Sequence, residues 1–202
     1  MPRSKLLAIA RIPGTDTELK LHAHADRFSI SIQGHGELMN SRVHGSEIAL
    51  AELTCERMSS RENPCLLIGG LGMGFTLAAA LDAIGPDAWI KVAELVPEVV
   101  EWNRDLVGKA AGHPLNDARC EVFIGDVAQL LRDQPGSFDA IMMDVDNGPE
   151  ALIRTENDWL YSRAGLAATR RALRSEGILA VWSASSKKWF TDRLARAGFD
   201  VD

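Results

Sequence analysis

Four glycines follow a short apolar run, in the order Gly69, Gly70, Gly72 and Gly74. Glycine permits a tight turn and a close approach of the backbone to a ligand, because it has no Cβ. The helix predicted to follow would direct its free N–H groups and its positive dipole end at the same place. The pattern is typical of a nucleotide-binding turn between a strand and a helix, although a tight turn without a ligand would look the same.

Acidic residues close two of the later apolar runs. Glu94 ends a run about twenty residues after the glycine turn, where an acid of dinucleotide-binding folds accepts hydrogen bonds from ribose hydroxyls. The alternative for Glu94 is a solvated carboxylate at a strand end. Asp126 ends a third run, and Asp126 and the following Val127 are candidate cofactor-binding residues. The carboxylate of Asp126 could accept a hydrogen bond from an exocyclic amine. Aspartate is also a favoured helix N-cap, and both roles are open for Asp126.

Asp144 and Asp146 follow a fourth apolar run at residues 140–143, whereas Asp139 is expected to lie in the turn before it. Ligands of open α/β sheets bind at the carboxyl ends of the strands, so Asp144 or Asp146 could orient or deprotonate an acceptor. Two carboxylates this close could also bind a cation, but a third ligand is not evident and we predict no metal. Asp144 and Asp146 are therefore the candidate catalytic residues.

The elements that must position these residues follow from the apolar pattern. After Pro64, apolar runs alternate with helical patterns. This alternation predicts an α/β fold with a doubly wound, Rossmann-like and mostly parallel sheet. Strands are expected at 65–68, 89–94, 120–124, 140–143 and 178–182, and helices at 75–84, 97–107, 127–132, 159–174 and 187–197.

The first part of the chain has a different texture. Short alternating runs at 6–12, 18–24, 28–33 and 37–41 are separated by turn residues, which predicts antiparallel hairpins. A helix is expected at 45–58. We therefore predict a β-hairpin region plus helix at 1–60 and a Rossmann-like domain at 61–202. The chain stops where another strand would begin, so the second domain is expected to be truncated there or to keep an open sheet edge.

Composition narrows the class of function. The chain has 202 residues and a net charge of -6, which argues against nucleic acid or an anionic membrane as a partner. The first apolar run is too short for a signal peptide or a membrane span. The three cysteines form no CxxC pair, which indicates reduced thiols. We predict a cytoplasmic protein that acts on a small molecule, and a homodimer remains open.

At these positions the sequence resembles the class I S-adenosylmethionine-dependent methyltransferase superfamily, and within it the spermidine synthase-like branch. The glycine turn, Glu94, Gly125-Asp126 and residues 138–144 match in order and spacing. The resemblance implies S-adenosylmethionine or its decarboxylated form as the cofactor, bound by the domain at 61–202. It implies Glu94 at the ribose, Asp126 at the adenine and Asp144 at the reactive end.

The sequence departs from aminopropyltransferases of that branch at the positions that hold amines. They carry an aspartate in the glycine turn, whereas Gly69–Gly74 contains no carboxylate. Their Tyr-His-Glu run corresponds to Gly45-Ser46-Glu47, which keeps only the acid, and the second acid after Asp144 is shifted. We therefore expect methyl transfer to an unidentified acceptor and negligible spermidine synthase activity. The alternatives are an aminopropyltransferase that uses decarboxylated S-adenosylmethionine and a non-catalytic nucleotide-binding protein.

Overall fold

The computed structural model describes residues 4–25, 27–58, 60–145, 159–183 and 188–202. In these residues, a four-stranded antiparallel sheet precedes a five-stranded sheet whose neighbouring strands all pair in parallel. Helices follow the parallel strands in turn, and apolar cores lie on both faces of that sheet. The predicted α/β class with a Rossmann-like sheet and a β-rich N-terminal region is confirmed.

The N-terminal sheet is a simple meander. Each strand pairs antiparallel with the next, and the strands are β1 (Lys5–Arg11), β2 (Glu18–Ala23), β3 (Phe28–Ile32) and β4 (Gly36–Asn40). Alternate side chains of this sheet, Leu19, Leu21 and Ile30 among them, form one core with Met73 and Phe75, which lie beside the glycine turn. The meander therefore packs directly against the nucleotide-type turn.

The parallel sheet has the order β7-β6-β5-β8-β9. The chain moves outward from β5 to β7 and then crosses back to β8, so the carboxyl ends of β5 and β8 flank the point where ligands of such sheets bind. The elements are α1 (Gly45–Glu56), β5 (Cys65–Gly69), α2 (Phe75–Ala83), β6 (Trp89–Glu94), α3 (Pro97–Arg104), β7 (Cys120–Ile124), α4 (Val127–Asp133), β8 (Phe138–Met143), α5 (Arg163–Ala172), β9 (Leu173–Val181) and α6 (Lys188–Arg196).

Helix α1 lies with the parallel sheet rather than with the meander that precedes it. Its buried residues Ala51 and Cys55 share a core with Leu77 and Ala80 of α2. The division at residue 60 stays a prediction, since the chain on either side of it contributes to this core. Among the described residues, no helix has the length and apolar character needed to cross a bilayer.

The bounds of α5 and β9 differ from the sequence prediction. The helix begins at Arg163 rather than Trp159, because the Ser162 hydroxyl caps it by accepting from the N–H of Gly165 at 3.1 Å. It ends at Ala172, because Leu173 pairs with Phe138 and already belongs to β9. Pairing within the sheet overrides the helical pattern that extended the prediction to Arg174.

The prediction that Asp139 lies in a turn is wrong. Asp139 is the second residue of β8, and it is only 3% exposed. Its carboxylate accepts from the guanidinium of Arg174 at 2.6 Å, from that of Arg61 at 3.3 Å and from the N–H of Cys65 at 2.8 Å. A buried carboxylate needs such partners, because desolvation strongly disfavours an unpaired charge. Asp139 therefore joins β8 to the start of β5 and to β9.

We expect Asp139→Asn to lower the free energy of unfolding by about 2–3 kcal/mol, because charge-assisted hydrogen bonds to both arginines are lost. Urea denaturation would measure the change. Asp133→Asn is the matched control, since Asp133 is exposed at the end of α4. An equal effect of the two substitutions would contradict the structural role of Asp139.

Candidate functional site

The glycine turn lies against the backbone that follows β8. Gly70 has φ 92°, and a Cβ at this residue would overlap the carbonyl oxygen of Asp144. The N–H of Asp144 donates to the carbonyl of Gly69 at 2.9 Å, which holds the two strand ends together. Gly74 has φ 84° and is the N-cap residue of α2. Glycine is required at Gly70 both for the left-handed backbone and for the close approach.

Asn103 of α3 holds the same turn through a hydrogen bond. The sequence analysis did not identify this residue. It is 1% exposed, and its Nδ2 donates to the carbonyls of Gly72 at 2.8 Å and of Val99 at 2.9 Å. Its Oδ1 lies 2.9 Å from the position that a Cβ at Gly74 would take. A lone amide on the otherwise apolar buried face of α3 is the signal that could have identified it.

Glu94 at the end of β6 is buried, with 8% exposure, so the alternative of a solvated strand-end carboxylate is wrong. One carboxylate oxygen accepts from the N–H of Leu71 at 3.0 Å and the other from the N–H of Val96 at 2.8 Å. Burial raises the pKa of Glu94, and the backbone N–H groups of Val96 and Leu71 oppose that shift. Glu94 thereby ties the glycine turn to β6.

A cavity of about 130 Å³ opens beside the turn, and we call it the turn cavity. It brings together five of the predicted cofactor-binding residues, which are Gly70, Gly72, Glu94, Asp126 and Val127. Gly69 and Gly74 do not line it. A Cβ at Gly69 would meet the side chain of Val127 at 3.2 Å, so Gly69 allows α4 to pack closely on β5.

Asp126 is the N-cap residue of α4, as one of its two predicted roles requires. Its Oδ1 accepts from the N–H of Ala128 at 2.8 Å. The residue also lines the turn cavity. Capping fixes the carboxylate at the cavity wall, so the two predicted roles are compatible.

Asp144 follows β8, and its Oδ2 accepts from the hydroxyl of Thr76 at 2.5 Å. Burial raises the pKa of Asp144 to about 6, the Thr76 hydroxyl opposes that shift, and the negative charge of Glu47 adds to it. Thr76 was not identified from the sequence, although it lies in the first turn of the helix that follows the glycines. Asp146, the second predicted catalytic residue, lies outside the described residues.

A second cavity, of about 100 Å³, contains both Glu47 and Asp144, and we call it the Glu47 cavity. Its other lining residues are Leu38, Met39, Ser46, Leu71, Gly72, Met73, Phe75, Thr76 and Trp182. Leu38, Met39, Gly72 and Asp144 line both cavities. Asp144 therefore lies where the turn cavity and the Glu47 cavity meet.

Comparison with known families identifies the fold. Residues 63–196 match the sequence model of a family described as the spermine/spermidine synthase domain. The chain belongs to this family. The predicted resemblance to the spermidine synthase-like branch is confirmed. A comparison with curated proteins finds no match.

Solved structures of spermidine synthases share the fold of this chain. A spermidine synthase in complex with the transition-state analogue AdoDATO superposes with a TM-score of 0.73 at 18% identity, covering 95% of this chain and 63% of that chain. For a spermidine synthase from Thermotoga maritima the TM-score is 0.71 at 17% identity, with the same coverage of 95% and 63%. A probable spermidine synthase from Corynebacterium glutamicum ATCC 13032 gives 0.61 at 16% identity, covering 90% and 64%. This chain thus spans less than two thirds of these chains, and at such identities the likeness establishes the fold.

A substitution at Gly72 tests whether the glycine turn binds the cofactor. Gly72 has φ 53°, and a Cβ at this residue would lie 3.2 Å from Sδ of Met39. We expect Gly72→Ala to fold but to bind S-adenosylmethionine and its decarboxylated form at least about 10-fold more weakly, because the methyl group would narrow both cavities. Calorimetric titration would measure the affinities.

Gly112→Ala is the matched control for that substitution. Gly112 has φ 75°, but nothing lies within 4 Å of its Cβ position, so the variant has comparable backbone strain without obstructing a cavity. Equal affinities in the two variants would show that the turn has only a structural role.

The raised pKa of Asp144 also predicts a dependence of stability on pH. Between pH 3.8, the ordinary pKa of an aspartate, and about pH 6, the folded state binds more protons at this group than the unfolded state. The contribution of Asp144 to the free energy of unfolding therefore falls by about 3 kcal/mol as pH rises through this window. We expect Asp144→Asn to match the parent near pH 4 and to be more stable at pH 7.5, as measured by urea denaturation. A difference independent of pH would contradict the shift.

Proposed function

We propose that this chain transfers an aminopropyl group from decarboxylated S-adenosylmethionine to an amine. The observation that carries the proposal is the location of Glu47 and Asp144 in one small cavity, which meets the turn cavity at Asp144. Two carboxylates in a mostly apolar cavity suit a positively charged acceptor. Membership of the spermine/spermidine synthase domain family supports this reaction over the methyl transfer expected from the sequence.

Several features of the turn cavity support its assignment to an adenosyl donor. Gly70 and Gly72 allow the donor to approach the backbone, and Glu94 and Asp126 line the same space. The carboxylate of Glu94 lies at the cavity wall, and its acceptor oxygens suit ribose hydroxyls. When bound, the donor supplies a carbon attached to a positively charged sulfur. We assign Glu94 to the ribose and Asp126 to the adenine amine.

Asp144 would act as the general base. Its pKa of about 6 leaves it mostly ionised at neutral pH, yet makes it a better proton acceptor than an ordinary aspartate. The acceptor ammonium gives a proton to Asp144, and the nitrogen lone pair then forms the new N–C bond. The C–S bond breaks with its electron pair remaining on sulfur, which becomes a neutral thioether. Thr76 positions Oδ2 of Asp144, and Glu47 holds the ammonium beside it.

A second candidate is methyl transfer at the same site. It is favoured by the turn itself, where Leu71 and Met73 are buried apolar residues and no carboxylate is present between Gly69 and Gly74. The methyl donor S-adenosylmethionine carries a carboxylate beside its amine, and an acid in the turn would repel that carboxylate. Cytoplasmic location and a homodimer stay predictions from the sequence.

The two reactions are separated by offering both donors to the purified protein with a panel of alkylamines and identifying products by mass spectrometry. We expect aminopropylated amine from decarboxylated S-adenosylmethionine. Asp144→Asn should lower kcat/KM by about 10²–10⁴-fold, because the general base is lost. Asp133→Asn should leave it unchanged, since Asp133 is exposed on α4.

The pH profile gives an internal check on Asp144. Activity requires the ionised carboxylate, so kcat/KM should rise with pH through a midpoint near 6. Thr76→Val should move that midpoint upward, because the Thr76 hydroxyl favours the ionised form. Methylated amine as the sole product would favour the second candidate. Absence of product from both donors, in protein that binds them, would refute transfer to amines.

A further inference from the structure

The wall of the Glu47 cavity is mostly apolar. Six of its lining residues are Leu38, Met39, Leu71, Met73, Phe75 and Trp182. Leu71, Met73 and Phe75 are buried and belong to packed cores, so they present a fixed apolar surface rather than mobile side chains. An acceptor in this cavity would therefore lose water from most of its length.

Two acidic residues line this cavity. Within the part of the chain that the structure describes, the charged residues that line it are Glu47 and Asp144. They lie near enough for the charge of Glu47 to raise the pKa of Asp144. Ser46 donates its hydroxyl to Glu47 at 2.6 Å, which orients that carboxylate. The two acids can therefore share a single ammonium group.

A diamine has a second ammonium group at its far end. Such a group would face the apolar wall, and burial of an unpaired charge is strongly unfavourable. A methyl or methylene group at the same place would gain from burial against that wall. The cavity thus discriminates between two acceptors of equal length by the polarity of the end remote from the reacting nitrogen.

We propose that the acceptor is a monoamine with an apolar tail, whose ammonium group binds between Glu47 and Asp144. The tail lies against Leu38, Met39 and Phe75. This inference rests on the proposed function, since it names the acceptor class of the same site. It accounts for a cavity in which, among the described residues, one pair of acids faces a mostly apolar wall.

The decisive comparison is the binding of 1-aminobutane and of 1,4-diaminobutane, which share a carbon chain and differ in one terminal group. Calorimetric titration of the full chain, saturated with the thioether product methylthioadenosine, would give both affinities. We expect 1-aminobutane to bind at least about 10-fold more tightly, because its tail avoids an unpaired buried charge. Equal or tighter binding of 1,4-diaminobutane would overturn the proposal, as would a failure of 1-aminobutane to bind.

A pair of substitutions tests the wall itself. Leu38 is half-buried on β4, so a polar side chain there can be accommodated. Leu38→Glu places a carboxylate on the wall and should shift the preference toward 1,4-diaminobutane by about 10-fold or more, whereas the uncharged control Leu38→Gln should not. If both variants keep the wild-type preference, the wall does not contact the acceptor tail and the proposal fails.

These measurements separate the inference from the proposed function. Affinities for the two amines are obtained without turnover, so they decide the acceptor class even if neither donor reacts. Turnover with 1-aminobutane and no turnover with 1,4-diaminobutane would support both conclusions. Turnover that favours 1,4-diaminobutane would support the proposed function and refute the monoamine.

Discussion

The contact between Gly70 and the carbonyl of Asp144 is the constraint on which the site depends. The carboxyl ends of β5 and β8 approach so closely there that a Cβ at Gly70 would overlap the carbonyl oxygen. This approach places the side chain of Asp144 beside Thr76 and at the meeting point of the two cavities. A larger residue at Gly70 would separate the strand ends and, with them, the base from the turn that positions the donor.

Three buried acids of the parallel sheet show how their partners set their roles. Asp139 is paired with two arginines and a backbone N–H, so its charge is fully compensated and it serves the fold. Glu94 accepts from backbone N–H groups, and it joins the turn to β6 while facing a cavity. Asp144 has a hydroxyl partner and a neighbouring negative charge, which leaves it ready to accept a proton. Hydrogen-bonding and charged partners thus stabilise the ionised carboxylate more fully at Asp139 than at Asp144.

The N-terminal meander is part of the site because its last strand reaches the turn. Leu38 and Met39 of β4 line both cavities, and Sδ of Met39 lies 3.2 Å from the Cβ position of Gly72. The same sheet packs its apolar face on Met73 and Phe75. Packing that stabilises the meander therefore also provides the wall that we assign to the acceptor tail.

The sequence by itself determined those features that depend on local pattern. An apolar run that enters glycines predicts a strand and a turn, and acids after later runs must meet at the carboxyl edge once the sheet is parallel. The turn, Glu94 and Asp126 were identified this way, and all line one cavity or adjoin it. Tertiary structure decided what depends on strand order and packing. Thr76 and Asp144 are 68 residues apart in the sequence, and they pair because β8 returns beside β5. Long-range contacts likewise set the contribution of β4, the end of α5 and the place of Asp139. Strand pairing and the pairing of buried charges join segments that are far apart in the sequence, so a local pattern cannot predict them.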